Sequence, residues 1–165
     1  MRLATTLFLC LLGSPALAQQ CDRWTAGMEE DEGGPRMMVS VCAQASASDA
    51  DAQHALLVTC AGKDALSLRY LPHADESYPP GGNEEYITKM KFVCDQEEFV
   101  HDARFEGMDG AMVIDTNVMT PFVRAMSSEG KVTLVDVNSD KVPIASFTLN
   151  GAKEALDKLI KSCGQ

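Results

Sequence analysis

The chain is predicted to fold as a mostly β domain of the α+β class: a small antiparallel β-sandwich with a short internal helix and a C-terminal amphipathic helix. Three observations predict it. Short stretches of alternating apolar and polar residues recur between turn signals rich in Gly, Pro, Asn and Asp. Residues 152–163 carry apolar side chains at helical spacing over several turns. No internal repeat and no linker divides residues 36–165, so a single β-rich domain with one core is expected.

Residues 1–18 read as a secretory signal peptide. Arg2 precedes an apolar run from Leu3 to Leu12, interrupted by Thr5 and Thr6. Gly13, Ser14 and Pro15 end the run, and Ala16-Leu17-Ala18 puts small residues where a signal peptidase reads them, with cleavage after Ala18. The run is short of the roughly 20 residues that span a bilayer. Gln19 and Gln20 separate Cys21 from the small residue that lipid attachment would require. A periplasmic or secreted protein without stable membrane insertion is therefore expected. Residues 19–35 are read as irregular, because the acidic run Glu29 to Glu32 leads into Gly33-Gly34-Pro35. Trp24, the single tryptophan, is placed against the domain edge.

The strands follow in order. Over 36–43, Met37, Val39 and Val41 alternate with Met38, Ser40 and Cys42. Residues 44–54 are small and polar and read as a mobile loop. Over 55–61, Leu56, Val58 and Cys60 share a face; a turn at Gly62-Lys63-Asp64 then leads to a strand with Leu66, Leu68 and Tyr70 aligned, which makes a hairpin. Residues 73–85 are rich in breakers, with Pro79-Pro80-Gly81-Gly82 at their centre. Met90, Phe92 and Cys94 share a face of the next strand, 86–95, and Phe99, His101, Ala103 and Phe105 a face of 98–105. Asp109-Gly110 is a turn signal before a short strand, 111–115.

Thr120-Pro121 opens a short helix, with Thr as cap and Pro at the first helical position. Phe122, Val123 and Met126 form its apolar side, and Gly130 ends it. A hairpin over 131–137 and 141–149 follows. In the last element Ala152, Ala155, Leu156, Leu159, Ile160 and Cys163 form one stripe, with Asn150 as the expected cap and lysines in the last turns.

Composition narrows the function. The net charge is −10. Such a surface repels phosphate backbones, so nucleic acid is not an expected partner. Five cysteines follow the signal: Cys21, Cys42, Cys60, Cys94 and Cys163. In an oxidising compartment at most two bridges form within the chain and one thiol is left over. Cys163 lies on the buried helical stripe, and Cys60, inward on a strand, is the partner that fits. For the second bridge Cys21–Cys42 is short and local, whereas Cys42–Cys94 would tie two strands. The preference is Cys42–Cys94, which leaves Cys21 free for an intermolecular link and a Cys21-linked dimer.

The C-terminal third carries a pattern. It runs Lys131-Val132-Thr133-Leu134-Val135, then Ala145-Ser146-Phe147-Thr148-Leu149-Asn150-Gly151, then Ala155-Leu156 and Leu159 before Cys163. A strand, a second strand reading F-x-L-x-G and an A-L-x-x-L-x-x-x-C helix resemble two sets of small exported proteobacterial proteins: the invasion-associated locus B family and the TagO accessory family of type VI secretion. Ala55-Leu56-Leu57-Val58-Thr59-Cys60 resembles the cysteine-bearing strand of the latter. The resemblance implies a small periplasmic β-sandwich with a helix and no known chemistry, and it supports the Cys60–Cys163 pairing. A role in invasion or secretion is implied by analogy alone.

No catalytic or cofactor motif is present. There is no G-x-S-x-G elbow, H-E-x-x-H or phosphate-binding glycine loop. His54 and His73 fall in expected loops. His101 lies on an apolar strand face, with Cys94 its nearest cysteine in sequence. Asp136 is read as exposed on the far face. The methionines are scattered rather than paired for copper(I), and the acidic loops lack D-x-D-x-D-G spacing for calcium, so no metal or cofactor is expected. The expected function is that of a non-enzymatic periplasmic or secreted accessory protein that binds another protein or an envelope component. The 44–54 and 73–85 loops are its candidate surfaces. One alternative is an inhibitor of a lysozyme-like hydrolase, since an acidic protein suits a basic enzyme. Another is a thiol- or metal-dependent enzyme, its thiol form built around His101 and Cys94.

Overall fold

The computed structural model describes residues 21–31, 33–46, 49–73, 78–95, 97–139 and 143–163. The expected signal peptide and its cleavage site lie outside the described residues. Among the described residues nine strands form one antiparallel sheet: β1 (Thr25–Asp31), β2 (Gly34–Ser46), β3 (Asp49–Gly62), β4 (Ala65–Leu71), β5 (Ile87–Cys94), β6 (Glu97–Glu106), β7 (Ala111–Asn117), β8 (Lys131–Asp136) and β9 (Pro143–Thr148). Their spatial order is β1-β2-β3-β4-β7-β6-β5-β8-β9. Two helices complete the fold, α1 (Pro121–Met126) between β7 and β8 and α2 (Ala152–Ser162) after β9.

The expected sandwich is thus corrected to a single open sheet. Period-2 alternation shows that each strand has one buried face, but it does not say what faces it. Here the other wall is largely the same sheet, curled on itself. Leu56, Leu68, Ile114, Phe92, Leu134 and Phe147, drawn from six different strands, belong to one buried cluster. The two long strands β2 and β3 give the twist room to accumulate. The ends of the sheet meet at Trp24, which is only 2% exposed. Its indole Nε1–H donates to the Thr148 carbonyl at 2.6 Å, and its backbone N–H donates to Asn150 O at 2.9 Å.

Two local expectations are also corrected. The segment read as irregular, 19–35, contains β1, which pairs with β2 from Thr25↔Ser40 to Asp31↔Gly34. Its acidic residues mask the strand because an edge strand tolerates charge on both faces. The 44–54 segment, read as a mobile loop, lies mostly within the β2–β3 hairpin, where Ala43 pairs with His54 and Gln44 with Gln53. Small polar residues hid these strands because their register comes from the facing strand rather than from their own pattern. Within 73–85, Pro80–Gly82 forms one 3₁₀ turn with Gly81 and Gly82 at positive φ.

The helices obey their start signals with one exception, and α1 ends at Met126 with Ser127 as its cap, ahead of the expected stop at Gly130. Thr120 Oγ1 accepts the Val123 N–H, with Pro121 in the first turn. At α2 the capping position is Gly151, not Asn150, and its φ of 77° is in the left-handed region. A Cβ there would also lie 3.3 Å from the Trp24 carbonyl oxygen. The Asn150 side chain instead donates to the carbonyl of Asp22. Ala152, Ala155, Leu156 and Leu159 bury the α2 stripe, and the helix packs on β1, β2 and β3.

Two disulfides brace the ends. Cys60 is bonded to Cys163, pinning α2 to β3. Cys42 is bonded to Cys21, not to Cys94, so the Cys42–Cys94 preference is corrected and no Cys21 thiol remains for a dimer link. The reason is the register: Cys94 opposes Glu97 on β6 and Val132 on β8, and four strands, β3, β4, β7 and β6, stand between β5 and β2 in the sheet order. Among the described residues Cys94 is the free thiol, and it is buried.

Candidate functional site

The residues with chemical potential fall into three places. The first is a buried polar cluster at the end of the sheet where β8 stops. Asp136 is 0% exposed. It accepts hydrogen bonds from Tyr78 Oη at 2.8 Å, Tyr86 Oη at 2.8 Å and Thr88 Oγ1 at 2.6 Å, and from the Asn138 backbone N–H at 3.0 Å. Burial pushes the Asp136 carboxyl up, but the donors Thr88, Tyr86, Tyr78 and Asn138 together outweigh it and hold it below the usual carboxylate value. Burial, and after it the Asp136 carboxylate, keeps the Tyr78 hydroxyl protonated well above the ordinary phenol range.

The cluster continues toward β3. The Tyr70 ring meets Tyr78 edge-on at 6.2 Å, and Tyr70 Oη lies 2.9 Å from Nδ1 of His54. The His73 backbone N–H also points at that nitrogen, at 3.3 Å. A backbone N–H can only donate, so Nδ1 is the acceptor and the Tyr70 hydroxyl donates to it. His54, expected in a solvated loop, is therefore a buried strand residue, 3% exposed. Asp136, expected outside, faces in. The signal for Asp136 was its parity, since it shares the phase of Val132 and Leu134; its tyrosine partners come from a breaker-rich segment that no periodicity places. No buried side-chain polar atom among the described residues lacks a hydrogen bond. The cluster anchors the chain between β4 and β5, and it presents no unsatisfied acid, base or nucleophile.

The second place holds Cys94 and His101. On the β5–β6 ladder Cys94 opposes Glu97 and His101 opposes Met90. The two are thus four residues apart along the strands, roughly 13 Å at the usual rise. Burial, then the charges of Asp95 and Glu97, push the Cys94 thiol up to about 11, so it is protonated at neutral pH. His101 packs on the Phe122 ring at 5.0 Å and the Phe92 ring at 6.0 Å, and burial lowers its pKa against a smaller opposing pull from Asp102. The structure does not bring this thiol and this imidazole together. Among the described residues no three His, Cys, Asp or Glu side chains converge as a metal-ligand set.

The third place is a surface groove of about 1240 Å³, formed where α2, the end of β3 and the β1–β2 hairpin meet over the Cys60–Cys163 bridge. Arg36, Lys63, Lys158 and Lys161 line it, with Met28 and Met37 on one wall, and none of its described lining residues is acidic. In a chain of net charge −10 that is a concentrated exception. A second groove, of about 690 Å³ at the start of α2, carries Glu129, Glu154 and Asp157 beside a single Lys153. Most other cations are tied up on the outer faces: Lys89 with Asp102, Lys91 with Glu98, Arg104 with Asp115 and Glu106, and Arg69 with Glu106 and Asp109. Among the described residues Lys63 and Lys161 make no ion pair, and Lys158 makes only the exposed helical pair with Glu154 at 2.9 Å. Sequence reading missed this groove because its cations are spread from residue 36 to residue 161.

The two disulfides are bonds of the kind that form and persist in oxidising compartments. The fold is that of the invasion-associated protein B of Bartonella henselae: its crystal structure superposes with a TM-score of 0.55 at 13% identity, over 86% of this chain and 93% of that one. At that identity the likeness is one of fold. No protein-family model matches the chain, and no curated relative matches it in sequence.

Proposed function

We propose that the chain is an exported, non-enzymatic binding protein of the cell envelope, cleaved after Ala18, and that the groove over the Cys60–Cys163 bridge is its binding surface. The observation that carries the binding role is that groove, a cationic concavity on an acidic protein whose remaining basic residues are largely spent in surface ion pairs. Export is supported by the apolar leader, by the two bridges and by the fold shared with an invasion-associated protein. Absence of catalysis is supported by the separation of Cys94 from His101 and by the saturated hydrogen bonding of Asp136.

The test is cell fractionation of the full chain in a Gram-negative host, with mass determination and non-reducing peptide mapping. The expected product is a periplasmic species beginning at Gln19 with both bridges formed. A full-length, reduced species in the cytoplasm would sink the proposal.

A further inference from the structure

Resting on the envelope reading above, we infer that the groove binds a phosphate-bearing amphiphile: the headgroup phosphate lies among Lys63, Lys158 and Lys161, and the apolar part lies against Met28 and Met37. The charge argument comes first. Lys63 and Lys161 approach the groove from different elements, the β3–β4 turn and the last turn of α2, and neither has an anionic partner among the described residues. Lysine ammonium groups are compact charges with rotatable donors, which meet phosphate oxygens without a fixed fork geometry. Lys158 can turn from Glu154 to a ligand at small cost, because an exposed ion pair on a helix surface is weak.

The apolar wall favours an amphiphile over a free anion. Met28 is 59% exposed and stands opposite Met37 on the β1–β2 ladder, so the two side chains share a face. Methionine is unbranched and adapts to acyl chains of varied shape. A soluble anion would leave that wall in water.

The bridge gives the site rigidity. Cys60 and Cys163 both line the groove, and their bond fixes the end of α2, which carries Lys161, against β3, which leads into Lys63. Preorganised cations lose less freedom on binding than cations on a mobile tail.

The experiment is vesicle co-sedimentation of the mature, doubly bridged protein. Phosphatidylcholine vesicles are compared with mixed phosphatidylcholine–phosphatidylglycerol vesicles, in low and high salt, with inorganic phosphate as competitor. The expected result is binding to the mixed vesicles alone, weakened by salt and not displaced by inorganic phosphate at matched concentration. K63E/K161E should lower the partition at least about thirtyfold, since each lysine near an anionic surface contributes a roughly fivefold attraction that reversal removes. K89E/K91E makes the same charge change on the outer face of β5 and should bind as the parent does. Met28→Ser should weaken vesicle binding. K63E/K161E alters exposed side chains without an ion pair among the described residues and should keep the parent's thermal midpoint, and both double variants should keep its disulfide map. Equal loss in the two double variants, equal binding to neutral vesicles, full displacement by inorganic phosphate, or no binding to either vesicle would each overturn the assignment. Saturation of the groove by an acidic protein partner that leaves vesicles unbound would overturn it as well. A protein that is exported and bridged yet ignores the mixed vesicles loses only its ligand, whereas a cytoplasmic reduced protein loses the envelope reading.

Discussion

Asp136 shows how a single buried charge is kept. An isolated carboxylate inside a fold costs several kcal/mol, and here three hydroxyls and one backbone N–H offset that cost. Its native pKa is depressed, so the fold prefers the ionised form. The stabilisation is therefore complete above the ordinary aspartate value near 3.9 and drains away as pH falls through the native value. Asp136→Asn should lower stability at neutral pH by about 1.5–3 kcal/mol, the worth of a charged hydrogen bond. It should also flatten the acid limb; urea midpoints for parent and variant across acid and neutral pH would show this, and parallel curves would refute it. Cys94 offers a second check. At 3% exposure, with its thiol pushed to about 11, it should resist iodoacetamide at neutral pH and react once the chain is unfolded. Rapid alkylation in native buffer would contradict its placement.

At the scale of elements, the two bridges differ in what they hold. Cys21–Cys42 spans 21 residues and fastens the approach to β1, whereas Cys60–Cys163 spans 103 and fastens α2 to the sheet. In the chain-entropy model the shorter loop is worth about 3.4 kcal/mol and the longer about 4.7. The paired Cys60→Ala/Cys163→Ala variant also frees a helix that buries Leu156 and Leu159, so it should lose more stability than Cys21→Ala/Cys42→Ala. Equilibrium denaturation of the two double variants would order them, and a reversed order would show that α2 docks without its covalent tie. These elements were legible to different degrees. Strands β4 to β8 and both helices follow from alternation, turn residues and the 3.6-residue stripe, all of which are local. The edge strand β1 was not, because its second half is Glu29-Glu30-Asp31 and its pairing depends on β2 rather than on its own pattern.

For the whole molecule, the seam at Trp24 decides whether an open sheet encloses a core. Its indole joins residues 124 positions apart, at the first and last strands of the order. Trp24→Phe removes the Thr148 hydrogen bond and part of the buried ring, and should cost about 1–3 kcal/mol from the carbonyl left unpaired and the area lost. In the parent, emission from this one tryptophan should be blue-shifted in the native state and move to the red in the same transition that melts the sheet by circular dichroism. A red shift that precedes global unfolding would mean that the seam opens on its own.

The sequence by itself determined the secondary elements with strong periodicity, the inward face of each such strand, the α2 stripe and the placement of Cys163 against the sheet. Those properties repeat every two or 3.6 residues, so a short window of chain carries them. Only the tertiary structure decided that one sheet curls instead of two stacking, that Cys21 reaches Cys42, that Asp136 gathers Tyr78, Tyr86 and Thr88, and that Lys63 and Lys161 line one groove. Each of these joins residues from distant stretches of chain. Sheet twist, register and helix docking bring such residues together, and none of the three is written in any one stretch of sequence.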